Sequence, residues 1–124
     1  MELLDPRTQF ISYKSVYDWR YYLKSELLKK RNYRSDWSGR LLTEETGCDM
    51  HEGIVTRGMV HKSIWWSFLI YHEINCFLLL PEEHRIIPPS KEWCIQKAYE
   101  RYGHDAVKGW YESLPFKVRP FILE

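Results

Sequence analysis

Three side chains in the middle of the chain are of the kinds that bind divalent metals or transfer protons, and an asparagine lies at a definite spacing from them. His51 and Glu52 are adjacent in CDMHEGIVTRG, and NCFLLLPEEHR begins with Asn75 and carries His84 nine positions later. Imidazoles and carboxylates bind divalent ions, and either can act as a general base. Each of the four has an ordinary structural explanation when taken alone, and their joint spacing is what indicates a functional site.

The elements that would position these side chains are short. CDMHEGIV is rich in strand formers towards its end and is followed by the turn-like TRG, so we expect a strand there. CFLLL is too short for a helix and predicts a second, buried strand. Pro81 with two following glutamates predicts a helix start, and Pro88-Pro89 ends that helix. The centre should therefore be two strands and a short helix.

Helical patterns lie on both sides of this centre. Ser15 can cap a helix with an apolar stripe that fades by Asn32. Ser90 can cap another helix that stops at Gly103, and a last helix is predicted over residues 105–114. The fold class is therefore α+β, with the central unit flanked by N- and C-terminal helices.

Length and composition indicate one domain. The 124 residues are 44% hydrophobic and 16% aromatic, which suffices for a packed core and argues against disorder. We divide the domain 1–124 into a helical basic extension (1–44), a central core (45–88) and a helical C-terminal part (89–124).

No secretory or membrane signal is recognisable in the sequence. MELLDPRTQF lacks the basic and apolar regions of a signal peptide. SIWWSFLIY, which has no clear strand or helix period, is too short to span a bilayer. An odd number of cysteines also favours a reducing compartment: Cys48, Cys76 and Cys94. We therefore expect a soluble, cytoplasmic protein without a membrane partner.

The two central motifs resemble those of the HNH endonucleases. CDMHEGIVTRG is similar to that family's C-E-x-H-H-I-x-x-R opening, and NCFLLLPEEHR is similar to its N-L-x-x-L-C-x-x-C-H-R segment. The resemblance covers roughly residues 45–86. It implies a ββα-metal motif, with VHKSIWWSFLIYHEI inserted between the strands. It also implies cutting or nicking of DNA with one divalent ion, Mg²⁺ or Mn²⁺.

The resemblance assigns roles to the central residues. It implies that Asn75 fixes the hairpin and that His84 binds the metal. The family's His-His pair falls on His51 and Glu52, which leaves two assignments open. Either His51 is a ligand and Glu52 is the base, or His51 is the base and Glu52 or Asp49 helps to bind the metal. The pKa of an imidazole lies closer to neutrality than that of a carboxylate, which favours His51 as the base.

Basic residues would supply the contacts to DNA. Between Arg20 and Arg40 seven lysines and arginines are opposed by only two acidic residues, a pattern that predicts either a phosphate-binding face or a solvated helix face. The candidates for DNA phosphates are Arg57, Arg85, Lys29, Lys30 and Arg31. Compact HNH proteins are often encoded by phages and assist genome packaging, which implies phage packaging proteins as further partners and the host cytoplasm as their location.

A non-catalytic, zinc-stabilised nucleic-acid-binding module is the alternative. Cys48, His51, Cys76 and His84 could form a Cys2His2 site, although the second short spacing of such sites is missing. Many HNH relatives bind a structural zinc through CxxC pairs, and the absence of any CxxC in this chain predicts that it has no such zinc. The remaining histidines are expected to be structural: His61, His72 and His104.

Overall fold

A two-stranded antiparallel sheet lies among helices in the structure, a computed structural model that describes residues 2–9, 15–60, 68–119 and 121–123. Strand β1 (Asp49–Glu52) pairs with β2 (Cys76–Leu79). His51 lies opposite Phe77, and Glu52 lies opposite Cys76. Both strands fall where the sequence predicts them, and the α+β fold class is confirmed.

Helix α2 (Val16–Lys30) follows the predicted stripe closely. The Ser15 hydroxyl accepts a hydrogen bond from the Asp18 amide at 3.2 Å, which satisfies one of the free N–H groups of the first turn. Trp19 lies on the buried face, and its indole nitrogen donates to the Tyr71 carbonyl at 2.6 Å. Hydrophobic burial and capping therefore both specify this helix.

The other helices that lie wholly within the described residues are shorter. They are α1 (Pro6–Gln9), α3 (Arg57–Val60), α4 (Pro81–Arg85), α5 (Lys91–Tyr102) and α6 (His104–Glu112), with 3-10 turns at Glu73–Asn75 and Phe116–Val118. The Ser90 hydroxyl caps α5 by accepting from the Trp93 amide at 3.1 Å, as predicted. Gly103 ends α5 with a φ of 89°, a conformation that glycine adopts without steric cost. The last helix is displaced slightly from the predicted 105–114.

Strand β2 passes through the middle of the core. All four of its residues are buried, because helices and loops cover both faces of the strand. Residues 63–67 of the ambiguous segment SIWWSFLIY, together with His61, lie outside the described residues, whereas residues 68–71 are buried. Among the helices of the described part, none has the length and apolar character needed to cross a membrane.

A buried network of charges ties α2 to β2 and α5. The Arg31 guanidinium donates to the Asp36 carboxylate and to the Cys76 carbonyl, both at 2.7 Å, and its side chain is only 7% exposed. Arg101 of α5 donates to the other oxygen of Asp36 at 2.6 Å. Asp36 also binds Leu78 of β2 twice, through its amide at 2.8 Å and its carboxylate at 2.7 Å. These contacts hold β2 at a fixed position in the domain.

Candidate functional site

The amide of Asn75 fixes the chain that leaves β1. Its Oδ1 accepts from the Ile54 amide at 2.8 Å and the Val55 amide at 2.9 Å. Its Nδ2 donates to the Val55 carbonyl at 2.8 Å and the Ile70 carbonyl at 3.0 Å. The side chain is fully buried, and these four bonds use its whole hydrogen-bonding capacity. Asn75 therefore determines where β1 ends and how the next residues run.

Helix α4 brings His84 to the strands. Pro81 begins the helix with a pre-set φ, and the Glu83 carboxylate accepts from the Leu80 amide at 2.9 Å in the first turn. The same carboxylate accepts from the Ser35 hydroxyl at 2.5 Å, which joins α4 to the loop after α2. As a result the partly exposed His84 side chain lies beside β1, where its Nδ1 is 3.0 Å from Oδ2 of Asp49.

Three side chains meet at this point: Asp49, His51 and His84. Successive residues of a strand point to opposite faces, so Asp49 and His51 lie on one face of β1 while Met50 enters the core on the other. The ring centroids of His51 and His84 are 5.0 Å apart. The hairpin and the helix thus combine one carboxylate with two imidazoles at the surface.

His51 is disposed to be neutral. Burial lowers its pKa below the ordinary histidine value, and the neighbouring His84 lowers it further. The Glu52 carboxylate and a hydrogen bond to the backbone of Pro89 oppose that shift in part. A neutral imidazole has a free lone pair, so at neutral pH His51 can accept a proton or bind a metal ion.

Glu52 lies apart from His84. Strand alternation puts it on the same face of β1 as the buried Met50, and its Oε1 accepts from the Tyr71 hydroxyl at 2.9 Å. Within the described residues, no hydrogen bond or ion pair links Glu52 to His84. Of the two carboxylates that the sequence offered as partners of the metal, Glu52 and Asp49, the structure therefore places Asp49 beside His84. The two-residue period of a strand is the signal that points to Asp49, two positions before His51.

The donor set at Asp49 and His84 fits a divalent ion that keeps most of its coordination positions open. Across the described parts of the chain, no three His, Cys, Asp or Glu side chains form a group that could hold a metal by themselves. An ion held by one carboxylate and one imidazole would retain several positions for water or phosphate oxygens. Mg²⁺ in phosphoryl-transfer sites is likewise held by only one or two protein carboxylates, whereas imidazole is a ligand that suits transition metals.

The cysteines do not favour the zinc alternative. Zinc binds the thiolate form, but burial raises the pKa of the Cys48 thiol to about 11. Burial also raises the pKa of Cys76 strongly, and its Sγ lies 3.9 Å from the Ile70 carbonyl, to which it donates. In the described residues these thiols and the two histidines do not form a metal-binding group.

The predicted basic cluster of α2 is divided between surface and interior. Lys29 is exposed and pairs with Glu26 at 3.1 Å, whereas Lys30 binds the Glu73 carboxylate at 2.6 Å. Arg31 is buried against Asp36, so the prediction that it contacts DNA is corrected. Its guanidinium is removed from solvent and has a structural role in the ion pair with Asp36. Arg57 and Arg85 are exposed, and Arg85 lies directly after His84 in α4.

A cleft of about 470 Å³ lies next to the site. One wall is α2, and Asp49 and His84 lie on the other side. The lining residues are Tyr17, Arg20, Tyr21, Lys24, Asp49, Met50 and His84. The basic residues of α2 that adjoin the site are thus Arg20 and Lys24, which lie about two and a half turns and about one and a half turns before Lys29. The helical period of three and four in Tyr17, Arg20, Tyr21 and Lys24 is the sequence signal for this wall.

Comparisons with family models, with curated proteins and with solved structures found no match to this chain. A functional hypothesis therefore depends on the geometry around Asp49, His51 and His84 and on the two motifs that contain them. The chemistry available there is metal binding, proton transfer by a neutral imidazole, and attraction of an anion by the basic side chains at the cleft.

Proposed function

We propose that this chain is a metal-dependent endonuclease of the HNH type, which hydrolyses phosphodiester bonds of DNA. The observation that carries the proposal is the combination of Asn75 and His84. Asn75 fixes the chain after β1 through three hydrogen bonds to Ile54 and Val55, while α4 carries His84 to within 3.0 Å of the Asp49 carboxylate. A ββα-metal motif needs these two features, a pinned hairpin and a histidine in the first turns of the next helix.

In this proposal Asp49 and His84 hold the divalent ion. Both side chains are partly exposed and within 3.0 Å of each other, so an ion that they bind stays open to a substrate phosphate. The ion would neutralise negative charge on the scissile phosphate and on the leaving oxygen. The proposed partner is DNA, and the exposed Arg57 and Arg85 are the candidates to contact its phosphates.

His51 acts as the general base in this proposal. Its lowered pKa keeps the imidazole neutral at pH 7, and the His84 ring 5.0 Å away places it next to the proposed metal. Glu52 has a different role: its bond to the Tyr71 hydroxyl orients it, and its negative charge supports the imidazolium that forms on His51. The roles predicted from the sequence are thereby narrowed to His51 as base and Asp49 with His84 as ligands.

Metal rescue separates His51 from the ligands. Asp49→Ala should weaken metal affinity, and a high Mn²⁺ concentration should restore part of its rate. His51→Ala should lose nearly all turnover at every Mn²⁺ concentration while its calorimetric metal affinity stays close to that of the wild type. Rescue of His51→Ala by Mn²⁺, with none for Asp49→Ala, would reverse the two roles.

The experiment that tests the function itself is plasmid nicking. Supercoiled plasmid is incubated with the wild type, His84→Ala and His104→Ala, each with Mg²⁺, with Mn²⁺ and with chelator. His104 lies on α6 and stacks on Tyr99 with ring centroids 4.5 Å apart, so its variant controls for the loss of a histidine. We expect nicking by the wild type and His104→Ala with a divalent ion, and none by His84→Ala.

Two results would contradict the proposal: wild-type protein that nicks no DNA with either ion, or a folded His84→Ala variant with undiminished nicking. Thermal unfolding of all three proteins is the check that they are folded. Since His84 is partly exposed, its replacement should change the free energy of unfolding by no more than about 1 kcal/mol.

A further inference from the structure

Two tyrosines on the outer face of α2 are far more exposed than aromatic residues usually are. Tyr17 is 71% exposed and Tyr21 is 78% exposed, although the same helix buries Trp19 completely. Exposed aromatic side chains that adjoin a polar site are typical of binding surfaces. These two line the cleft that leads to Asp49 and His84.

Basic side chains are interleaved with these rings. Arg20 and Lys24 follow at helical spacings of three and four, so all four residues form one stripe along the cleft. The Arg20 guanidinium lies 4.8 Å from the centroid of the Tyr71 ring, which supports it at the cleft edge. Its Nε is buried and has no hydrogen-bond partner in the described part of the chain. The stripe therefore offers two stacking platforms and two cations.

The spacing of the two tyrosines suits an unpaired strand better than a duplex. Residues four apart on a helix are separated by about 6 Å along its axis. Bases stacked in a duplex are only about 3.4 Å apart, and their faces are covered by their neighbours. Two rings at this distance can each stack on a separate base of an extended strand, while cations between them bind its phosphates. Such stacking tolerates any base sequence, because every base has a π-face.

We propose that the α2 stripe, defined as Tyr17, Arg20, Tyr21 and Lys24, binds an unpaired strand of nucleic acid and leads it to Asp49 and His84. Charge favours this occupant, since the stripe is cationic and ends at a proposed metal site that itself receives a phosphate. The inference rests on the nuclease function proposed above, and it specifies the substrate as single-stranded or locally unpaired DNA.

Binding in the presence of chelator tests this inference without any catalysis. Fluorescence anisotropy is measured with a labelled oligothymidylate and with a duplex of the same length. Tyr17→Ala/Tyr21→Ala should bind the single strand at least tenfold more weakly than the wild type and bind the duplex with little change. Tyr17→Phe/Tyr21→Phe keeps both rings and should bind the single strand like the wild type.

Phe116→Ala is the matched control, because Phe116 is also a strongly exposed ring but lies away from the cleft. It should leave the affinity for the single strand unchanged. Lys24→Ala should reduce the salt dependence of single-strand binding by a slope of about 0.7 in log K against log salt, the value for one phosphate contact. Thermal unfolding is the check that each variant is folded.

The inference is overturned if the double alanine variant binds the oligothymidylate as tightly as the wild type, or loses affinity for single strand and duplex equally. These outcomes are independent of the nicking assay. If the wild type nicks plasmid but the double alanine variant binds the oligothymidylate as the wild type does, only the proposal for the stripe is refuted. If the double alanine variant selectively loses single-strand binding but the wild type nicks nothing with any divalent ion, the nuclease function is refuted and the stripe remains a binding surface.

Discussion

Asn75 and Val55 are joined by two hydrogen bonds in opposite directions, from side chain to backbone. The amide oxygen accepts from the Val55 N–H at 2.9 Å, and the amide nitrogen donates to the Val55 carbonyl at 2.8 Å. The Asn75 side chain thus satisfies both the N–H and the carbonyl of Val55, as a neighbouring strand does for a hydrogen-bonded residue of a sheet. The chain after β1 is thus fixed without a third strand.

Replacement of Asn75 by alanine should destabilise the protein strongly. The variant leaves the Ile54 and Val55 amides and two carbonyls buried without a partner, and each such group costs about 1–3 kcal/mol. We expect urea unfolding to show a loss of about 3 kcal/mol or more. Gln96→Ala, on the exposed side of α5, should change stability by less than about 0.5 kcal/mol. Equal stability of the two variants would remove Asn75 from its structural role.

Two glycine-to-alanine changes should have opposite effects. A Cβ on Gly53, directly after β1, would lie 2.4 Å from Sγ of Cys94 and 2.9 Å from Cδ1 of Phe77, both in the core. Gly53→Ala should therefore cost about 1–3 kcal/mol through overpacking. A Cβ on Gly109 meets nothing within 4 Å, and alanine is the better helix former there. Gly109→Ala should stabilise α6 by about 0.5–1 kcal/mol, and thermal unfolding of both variants gives the comparison.

Asp36→Asn should reveal the importance of the buried charge network. The change leaves the buried Arg31 guanidinium without its counter-ion, and breaking a buried pair in this way costs about 3–5 kcal/mol. Glu82→Gln breaks the exposed pair of Glu82 with Arg40 and should cost less than about 1 kcal/mol. Similar losses from both, measured by urea unfolding, would show that Arg31 is solvated in solution.

His72 should make the protein less stable in mild acid. Burial lowers its pKa to about 4, with Asp5 opposing the shift and Arg7 adding to it, whereas an unfolded chain has a histidine pKa of about 6.5. The unfolded state thus binds the proton first, so stability falls as the pH drops from about 6.5 towards about 4. The full difference between the two pKa values corresponds to about 3 kcal/mol in the free energy of unfolding, at about 1.4 kcal/mol per pKa unit.

The Nδ1 of neutral His72 accepts from the Ile74 amide at 3.0 Å, a bond that an asparagine can replace. His72→Asn should therefore lose about 2 kcal/mol less than the wild type between pH 7 and pH 5 in urea unfolding. His104→Asn, at an exposed position, should keep the wild-type pH dependence. The same pH dependence in His72→Asn and the wild type would assign acid sensitivity to other groups.

Local signals in the sequence account for most of the fold near the site. Ser15 and the apolar stripe predict α2, the run CFLLL predicts β2, and Pro81 predicts α4, because capping, burial and the fixed φ of proline act within a few residues. The joint spacing of Asn75 and His84 indicated the site in the same way. Whether these residues belong to a nuclease stays a prediction.

Tertiary contacts explain what the sequence did not predict. Arg31 belongs to a basic run, and nothing local reveals that Asp36 and Tyr102 would bury it. Similarly, nothing local reveals that α4 would bring His84 to the face of β1 that carries Asp49 and not to the face that carries Glu52. Both outcomes depend on contacts between residues that are distant in the sequence. The periodicity of a short segment carries no information about such contacts.

The contact between Asp36 and Leu78 also bears on self-association. Strands with a free edge recruit strands from other molecules, and short sheets rich in apolar residues are the most vulnerable. At Leu78 that edge is occupied, because the Asp36 amide binds its carbonyl at 2.8 Å and the Asp36 carboxylate binds its N–H at 2.7 Å. A single charged residue thereby caps the side of β2 at that point, where the apolar strand cannot pair with a strand of another molecule.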